Sequence, residues 1–367
     1  MEGKRVIQIL LLLLPLWLSG CSETTSNPIG EGETQTLSQF IASYLSPALP
    51  AEDIVQHDSL YSNYLNFSLS DFQSRNRSGE NQIHASFDSY LLLTYPAMSA
   101  ESSRLEALIS ASQSNLLEPP GFEEISYFSS EVDAIQGMDI KRYLWGQSRY
   151  LFNTSYLKSV ADLIHPNMSE QDFLQDAFSS HLTIDGLLNS SLTPPINAQT
   201  RLVYAQKTEF TAQYDSSISR QLKTGRFTNI DGQQVLVEMT HVQGSMNSHQ
   251  GENYRAVVIP FEDSTLSMMM IMPELSAFSS VQQGLSASWW QQLVENLSPV
   301  NSSVYIPHVS IQNQMLQYNW MDLGIAEIEP DASTPGIGAD FSIINNQGHL
   351  YLSPPQQEVS FDINFQQ

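Results

Sequence analysis

The sequence predicts an α+β fold, and three observations carry that prediction. Apolar residues from 37 to about 192 recur mostly at helical spacing, the apolar runs after Thr200 shorten to strand length between turn signals, and no regular β-α alternation joins the two halves. In the first half, Leu65, Leu69 and Phe72 mark one helix, and Leu105, Leu108 and Ile109 another. Glu118-Pro119-Pro120-Gly121 and Thr193-Pro194-Pro195 are breakers, and the second separates the halves. Beyond it, 235–239, 254–260, 266–272, 304–311 and 350–363 read as strands, interrupted by helices at 288–297 and 314–323. Met268-Met269-Met270-Ile271-Met272, ended by Pro273, reads as a strand buried on both faces and not as a metal site. Trp289-Trp290 reads as one core and one half-exposed aromatic on a short helix.

Composition bounds the function. The 367 residues are 41% hydrophobic and 15% charged, enough apolar content for a substantial core. Only 15 Lys and Arg stand against 39 Asp and Glu, for a net charge of −24, which leaves little to neutralise phosphates. Nucleic-acid partners and charge-driven adhesion to an anionic membrane are thereby excluded as expectations. The single cysteine makes no internal disulfide, so packing alone must hold the fold, and a monomer is expected.

The first twenty residues read as an address. Lys4 and Arg5 precede an apolar, Leu-rich run that ends in small residues, the pattern of a secretory signal too short to span a membrane. Leu18-Ser19-Gly20-Cys21 resembles the lipobox of bacterial lipoproteins, which implies cleavage before Cys21 and lipidation of its sulfur. Ser22 in place of aspartate favours the outer membrane, on its periplasmic or surface face. Because the chain is acidic, the acyl chains must supply the attachment. The expected organisation is therefore 1–20 signal peptide, 21–36 flexible tether and 37–367 one folded domain.

Catalytic signals are sparse. The eight histidines show no pairing at three- or four-residue spacing and no neighbouring cysteine, so no metal and no cofactor are expected. Gly-x-Ser-x-Gly, Walker and Gly-x-Gly-x-x-Gly patterns do not occur. Ser155-Tyr156-Leu157-Lys158 and Lys223-Thr224-Gly225 fit two of the three motifs of penicillin-recognising acyl-enzymes, without the polar motif between them. An enzyme is not the expectation, and that chemistry ranks third among the functional readings.

Read in order, the fragments of the β-rich half from Thr200-Arg201-Leu202-Val203 through Val257-Val258-Ile259-Pro260-Phe261 to Ala339-Asp340-Phe341-Ser342 resemble the serpin family. Thr200-Arg201-Leu202-Val203 is similar to the approach to a central strand of the family's largest sheet, and 210–215 (Phe-Thr-Ala-Gln-Tyr-Asp) stands where serpins have Trp-x-x-Pro-Phe-Asp. Val257-Val258-Ile259-Pro260-Phe261, Leu266-Ser267-Met268 through Pro273-Glu274, and Val304-Tyr305-Ile306-Pro307 with Val309 and Ile311 follow in family order. Leu323-Gly324-Ile325 and Ala339-Asp340-Phe341-Ser342 come next. In the helical half, Leu65-Asn66-Phe67-Ser68-Leu69 resembles the opening helix, and Ser86 would be the second serine of Ser-Pro-x-Ser, in the region called the shutter.

The resemblance implies a single domain with three β-sheets surrounded by eight or nine helices. It also implies inhibition of a serine protease, in which a cut bait loop inserts as a new strand into the largest sheet. Gln357, Asp362, Asn364 and Phe365 occupy the hinge and breach positions, with Gln357 in place of a histidine and Phe365-Gln366-Gln367 where the hinge would be. The chain as read then stops, so the domain is expected to be C-terminally truncated, with no reactive-centre bond and with inhibition lost or impaired. The alternative expectation is a non-inhibitory binding scaffold on the cell envelope.

Overall fold

The computed structural model describes residues 33–44, 58–75, 81, 83–99, 121–189, 196–211, 214–262, 266–317, 342–345 and 356–363. The breakers at 118–120 and 193–195, the helix around Leu105, Cys21, Asn364 and Phe365 lie outside them.

Helices and strands alternate irregularly. A short strand β1 (Thr34–Gln35) leads into α1 (Leu37–Ser43), whose start is fixed by Thr36 and Gln39 capping each other's backbone. Helices α2 (Asp58–Arg75) and α3 (Ser86–Ser99) pack together through Tyr64, Phe67, Phe87 and Tyr90. On α2, Leu65, Leu69 and Phe72 are all buried, as their spacing requires.

After α4 (Gly121–Asp133) come the strands β2 (Met138–Gln147) and β3 (Phe152–Asn153), α5 (Thr154–Ile164), β4 (Asn167–Gln171) and α6 (Phe173–Leu188). The first half is thus less purely helical than its periodicity suggests. β2 forms the middle of a three-stranded ladder, parallel to β4 and antiparallel to β5 (Leu202–Phe210).

The second half is mostly strand: β6 (Ser219–Thr228), β7 (Gln234–Gln250), β8 (Tyr254–Pro260), β9 (Ser267–Pro273) and β10 (Ser298–Pro307). β7 is long enough to pair with β6, β8 and β10 along different stretches, which makes one five-stranded sheet. Helices α7 (Phe278–Gln283) and α8 (Ala287–Glu295) interrupt the series, and on α8 Trp290 is buried while Trp289 is partly exposed. The strand β11 (Val309–Gln317) and β12 (Gln356–Ile363) form a separate antiparallel pair, with α9 (Ser342–Asn345) between them in sequence.

Three expectations need correction. The stretch 314–317 is strand, not the start of a helix, because Gln314 to Gln317 pair in register with Val359 to Gln356 and the ladder overrides the helix-forming Gln and Leu side chains. The strand expected over 304–311 is two, broken at His308, whose N–H bonds the Glu238 carbonyl while the chain leaves one ladder for another. In the methionine run only Met268 and Met269 are buried, and Met272 is 63% exposed, so β9 is covered on both faces only at its start.

The largest core joins α1, α2, α3 and α5 to the inner faces of β2, β8 and β9. A second cluster gathers Tyr214, Val242, Ile259, Met268 and Ile306, and a third packs α6 on β2 through Trp145, Phe173 and Ile184.

Candidate functional site

Two ladders end in strands that have a ladder partner on one side only among the described residues. β5 pairs only with β2, and β12 only with β11; among the described residues no strand pairs with the other edge of either. The burial of β5 shows the consequence. Eight of its nine residues are partly exposed and none is buried, whereas β2 ends in four consecutive buried residues. Both ladders reach the second cluster: Met138 and Phe210 of one and Ile311 and Phe361 of the other pack against it, and Val309 is among its buried members. Phe210 closes β5 and Phe361 lies near the end of β12, so the C-terminal ends of both strands pack against the second cluster.

At that end the backbone is tightly closed. Gly137 has φ +87°, its carbonyl accepts the Thr211 N–H at 2.8 Å, and a Cβ there would lie 2.3 Å from the Thr211 oxygen. Only glycine fits. Phe210 meets Phe261 edge to face beside it, Tyr214 packs on Phe261 at a tilt, and burial raises the Tyr214 phenol above its ordinary value.

A polar network ties β5 to the elements around it. Asp88, in the first turn of α3, accepts through Oδ1 from Gln206 Nε2 at 2.5 Å and from Thr208 Oγ1 at 2.6 Å, both on β5. Gln206 Oε1 accepts from Tyr204 OH at 3.0 Å and from Arg142 Nε at 3.3 Å. Arg142, 4% exposed on β2, forks onto Asp133 at the end of α4 with contacts of 2.7 and 2.9 Å. Asp88 thus adds a second carboxylate to a region that holds one guanidinium. Desolvation lifts its pKa above the ordinary value, against the opposing pull of Thr208, Gln206 and Arg142.

The structure places the sequence-predicted residues unevenly. Ser86 opens α3 and is buried, but the side chain that reaches β5 is Asp88, two residues on. An acidic residue in a helix's first turn has a mundane reading beside the helix dipole, which is why sequence alone does not single it out. Gln357 and Asp362 lie on β12, opposite Leu316 and Ser310. Lys158 bonds Asp162, and Lys223 lies on β6 against His241 and the Tyr305 ring. Among the described residues no group of three metal-ligating side chains occurs, and no helix is long and apolar enough to cross a membrane.

Comparison with known proteins decides the family. The sequence matches the profile described as Serpin (serine protease inhibitor) over residues 62–365. The chain belongs to the serpin family. An uncharacterized serpin-like protein of Thermococcus kodakarensis is 23% identical over 210 residues, covering 54% of this chain and 49% of that one. Plasminogen activator inhibitor 1 of Sus scrofa is 25% identical over 193 residues, 49% of this serpin and 46% of the relative. The chain therefore spans about half the length of these curated relatives. Neuroserpin of Rattus norvegicus, 21% identical, aligns over 66% of this chain and 64% of its own. In three dimensions the serpin superposes on emu (Dromaius novaehollandiae) ovalbumin with TM-score 0.73, at 15% identity and 83% coverage of this chain and 86% of the other. It superposes on cleaved Serpin 42Da with TM-score 0.74, at 16% identity, 84% and 86% coverage. The fold is that of a serpin, and the expectation of a single α+β domain of that type stands.

Proposed function

We propose that this serpin inhibits a serine protease by accepting an extended strand between β5 and β12, and that a lipid on Cys21 holds it at the bacterial outer membrane. The observation that supports the reading is that β5 and β12 both end at one apolar cluster and that each has a ladder partner on one side only among the described residues. A strand added between them would supply backbone partners to two edges at once. The half-exposed side chains of β5 would be covered at the same time.

The test is incubation of the protein with a panel of serine proteases, followed by denaturing electrophoresis. A band that survives SDS at the summed mass of both proteins supports inhibition. If the protein folds cooperatively and no protease in the panel yields such a band, inhibition is excluded for them and the scaffold is a binding module. The lipid is tested separately: Cys21→Ser should release the protein from the membrane fraction.

A further inference from the structure

The amino-terminal segment enters the fold at one pole, and that pole carries an uncovered apolar surface. Thr34 and Gln35 pair with Asn153 and Phe152, and the Glu33 carbonyl accepts the Thr154 N–H at 2.9 Å. Leu37 abuts Gly146 at the end of β2, and the Ser38 N–H donates to Glu170 on β4. Around this attachment three elements leave large apolar side chains in solvent: Ile41 of α1 (42% exposed), Leu151 of the β2–β3 turn (46%) and Leu174 of α6 (53%). The turn and α6 are joined there, because Gln147 accepts both the Tyr150 and the Leu174 N–H groups. Phe178 (71%) and Leu182 (55%) continue from Leu174 along α6 at four-residue spacing, past a kink at Asp176, opposite the Ser180, Ile184 and Leu188 face that packs inward.

We infer that this pole rests on the lipid bilayer, with Phe178, Leu182 and Leu174 entering the headgroup and acyl boundary. The inference rests on the lipid anchor proposed above and goes beyond it, since an anchor on a tether would by itself leave the orientation free. The tether decides the occupant. Eleven residues lie between Cys21 and Glu33, so the twelve steps from one to the other span a contour of about 40 Å at about 3.3–3.6 Å per residue. The bilayer is therefore held at high effective concentration against this pole in particular.

Charge specifies the lipid. Arg149 is exposed here, but Glu33, Glu170, Asp172 and Asp176 lie at the same pole, so insertion is driven by apolar burial and suits zwitterionic headgroups. Interfacial helices of this kind sink about 5–10 Å into the boundary.

Once Cys21 carries its lipid the protein has no other thiol, so Phe178→Cys and Leu236→Cys can each be labelled singly with an environment-sensitive fluorophore. Leu236 is 70% exposed on the β6–β7 hairpin of the other sheet. The acylated full chain is reconstituted on vesicles of phosphatidylethanolamine and phosphatidylcholine that carry a nitroxide lipid. The label at 178 should shift to the blue and lose at least about half its emission, as interfacial burial requires, while the label at 236 keeps the spectrum it has in water. If the protein floats with the vesicles but both labels report water, the resting pole is overturned and the anchor stands. Failure to float overturns the anchor and the orientation with it. A blue shift at 178 without lipid would show a second copy on this face, and also overturns the inference.

Discussion

Asp88 shows how one substitution sets a pH dependence. Its carboxyl is held protonated to higher pH in the fold than in the unfolded chain, because burial disfavours the charge. A group with a raised folded pKa contributes stability that is fully present below its unfolded value of 3.8 and is lost as pH rises through the folded value. Above its ordinary titration range the native state therefore carries a cost at this part-buried carboxyl that the unfolded chain does not. A neutral amide at this position could keep both hydrogen bonds, since Gln206 and Thr208 share the single oxygen Oδ1. Asp88→Asn is accordingly expected to raise the melting temperature at pH 7 and to flatten its decline from acid pH upwards. Thermal scans of both proteins across pH 3–8 measure this, and a lower melting temperature for the variant throughout would refute it. The opposite sign is expected at Arg142. Arg142→Met leaves Asp133 and Gln206 without their charged donor and should cost about 2–3 kcal/mol in denaturant unfolding, the range for a hydrogen bond to a charged group. Gly137→Ala forces a Cβ onto the Thr211 carbonyl at positive φ, at about 2 kcal/mol or more.

At the scale of elements, α1 has the most to lose for its size. It lies before the region matched by the family, yet Leu37 is 0% and Phe40 4% exposed, and Tyr44 at its end donates to Asp162 on α5. Leu37→Ala or Phe40→Ala is expected to cost about 2–5 kcal/mol, as for other large-to-small changes in a core. Equilibrium unfolding in urea reads the loss directly. A segment this short gives little sequence signal, since seven residues make barely two turns and only the capping pair Thr36 and Gln39 announces it. Legibility elsewhere follows the same physics. β8 and α8 are readable because burial writes itself into their side chains as a continuous apolar run or a helical stripe. β6 is not: Arg220, Lys223 and Arg226 make it polar nearly throughout, as suits an outer strand that must resist pairing with other chains. β11 misleads for the complementary reason, because its Gln, Met and Leu residues suit a helix and only a partner strand distant in sequence makes it extended. Of the candidate site, the strand ends are legible through their resemblance to the family. Asp88, Gln206 and Arg142 are not, because what unites them is a contact between α3, β5 and β2 that no local pattern records.

For the whole molecule, the divided ladders predict a response to an added strand. Joining β5 and β12 through a third strand would convert two edges into continuous sheet, remove water from the half-exposed face of β5, and add tertiary bonds near the cluster around Phe210 and Phe361. A free peptide able to do this binds the folded state and not the unfolded one, so mass action stabilises the fold. An extended peptide of small and β-branched residues, about 10–12 long to match strands of this length, should therefore raise the melting temperature. At a hundredfold excess over its dissociation constant the gain is about 2.7 kcal/mol. The same peptide should abolish any SDS-stable complex with protease, because it occupies the place the cut loop would take. Stabilisation without loss of inhibition would put the peptide at another edge, such as β6 or β4, and would separate the function of this serpin from the gap between its ladders.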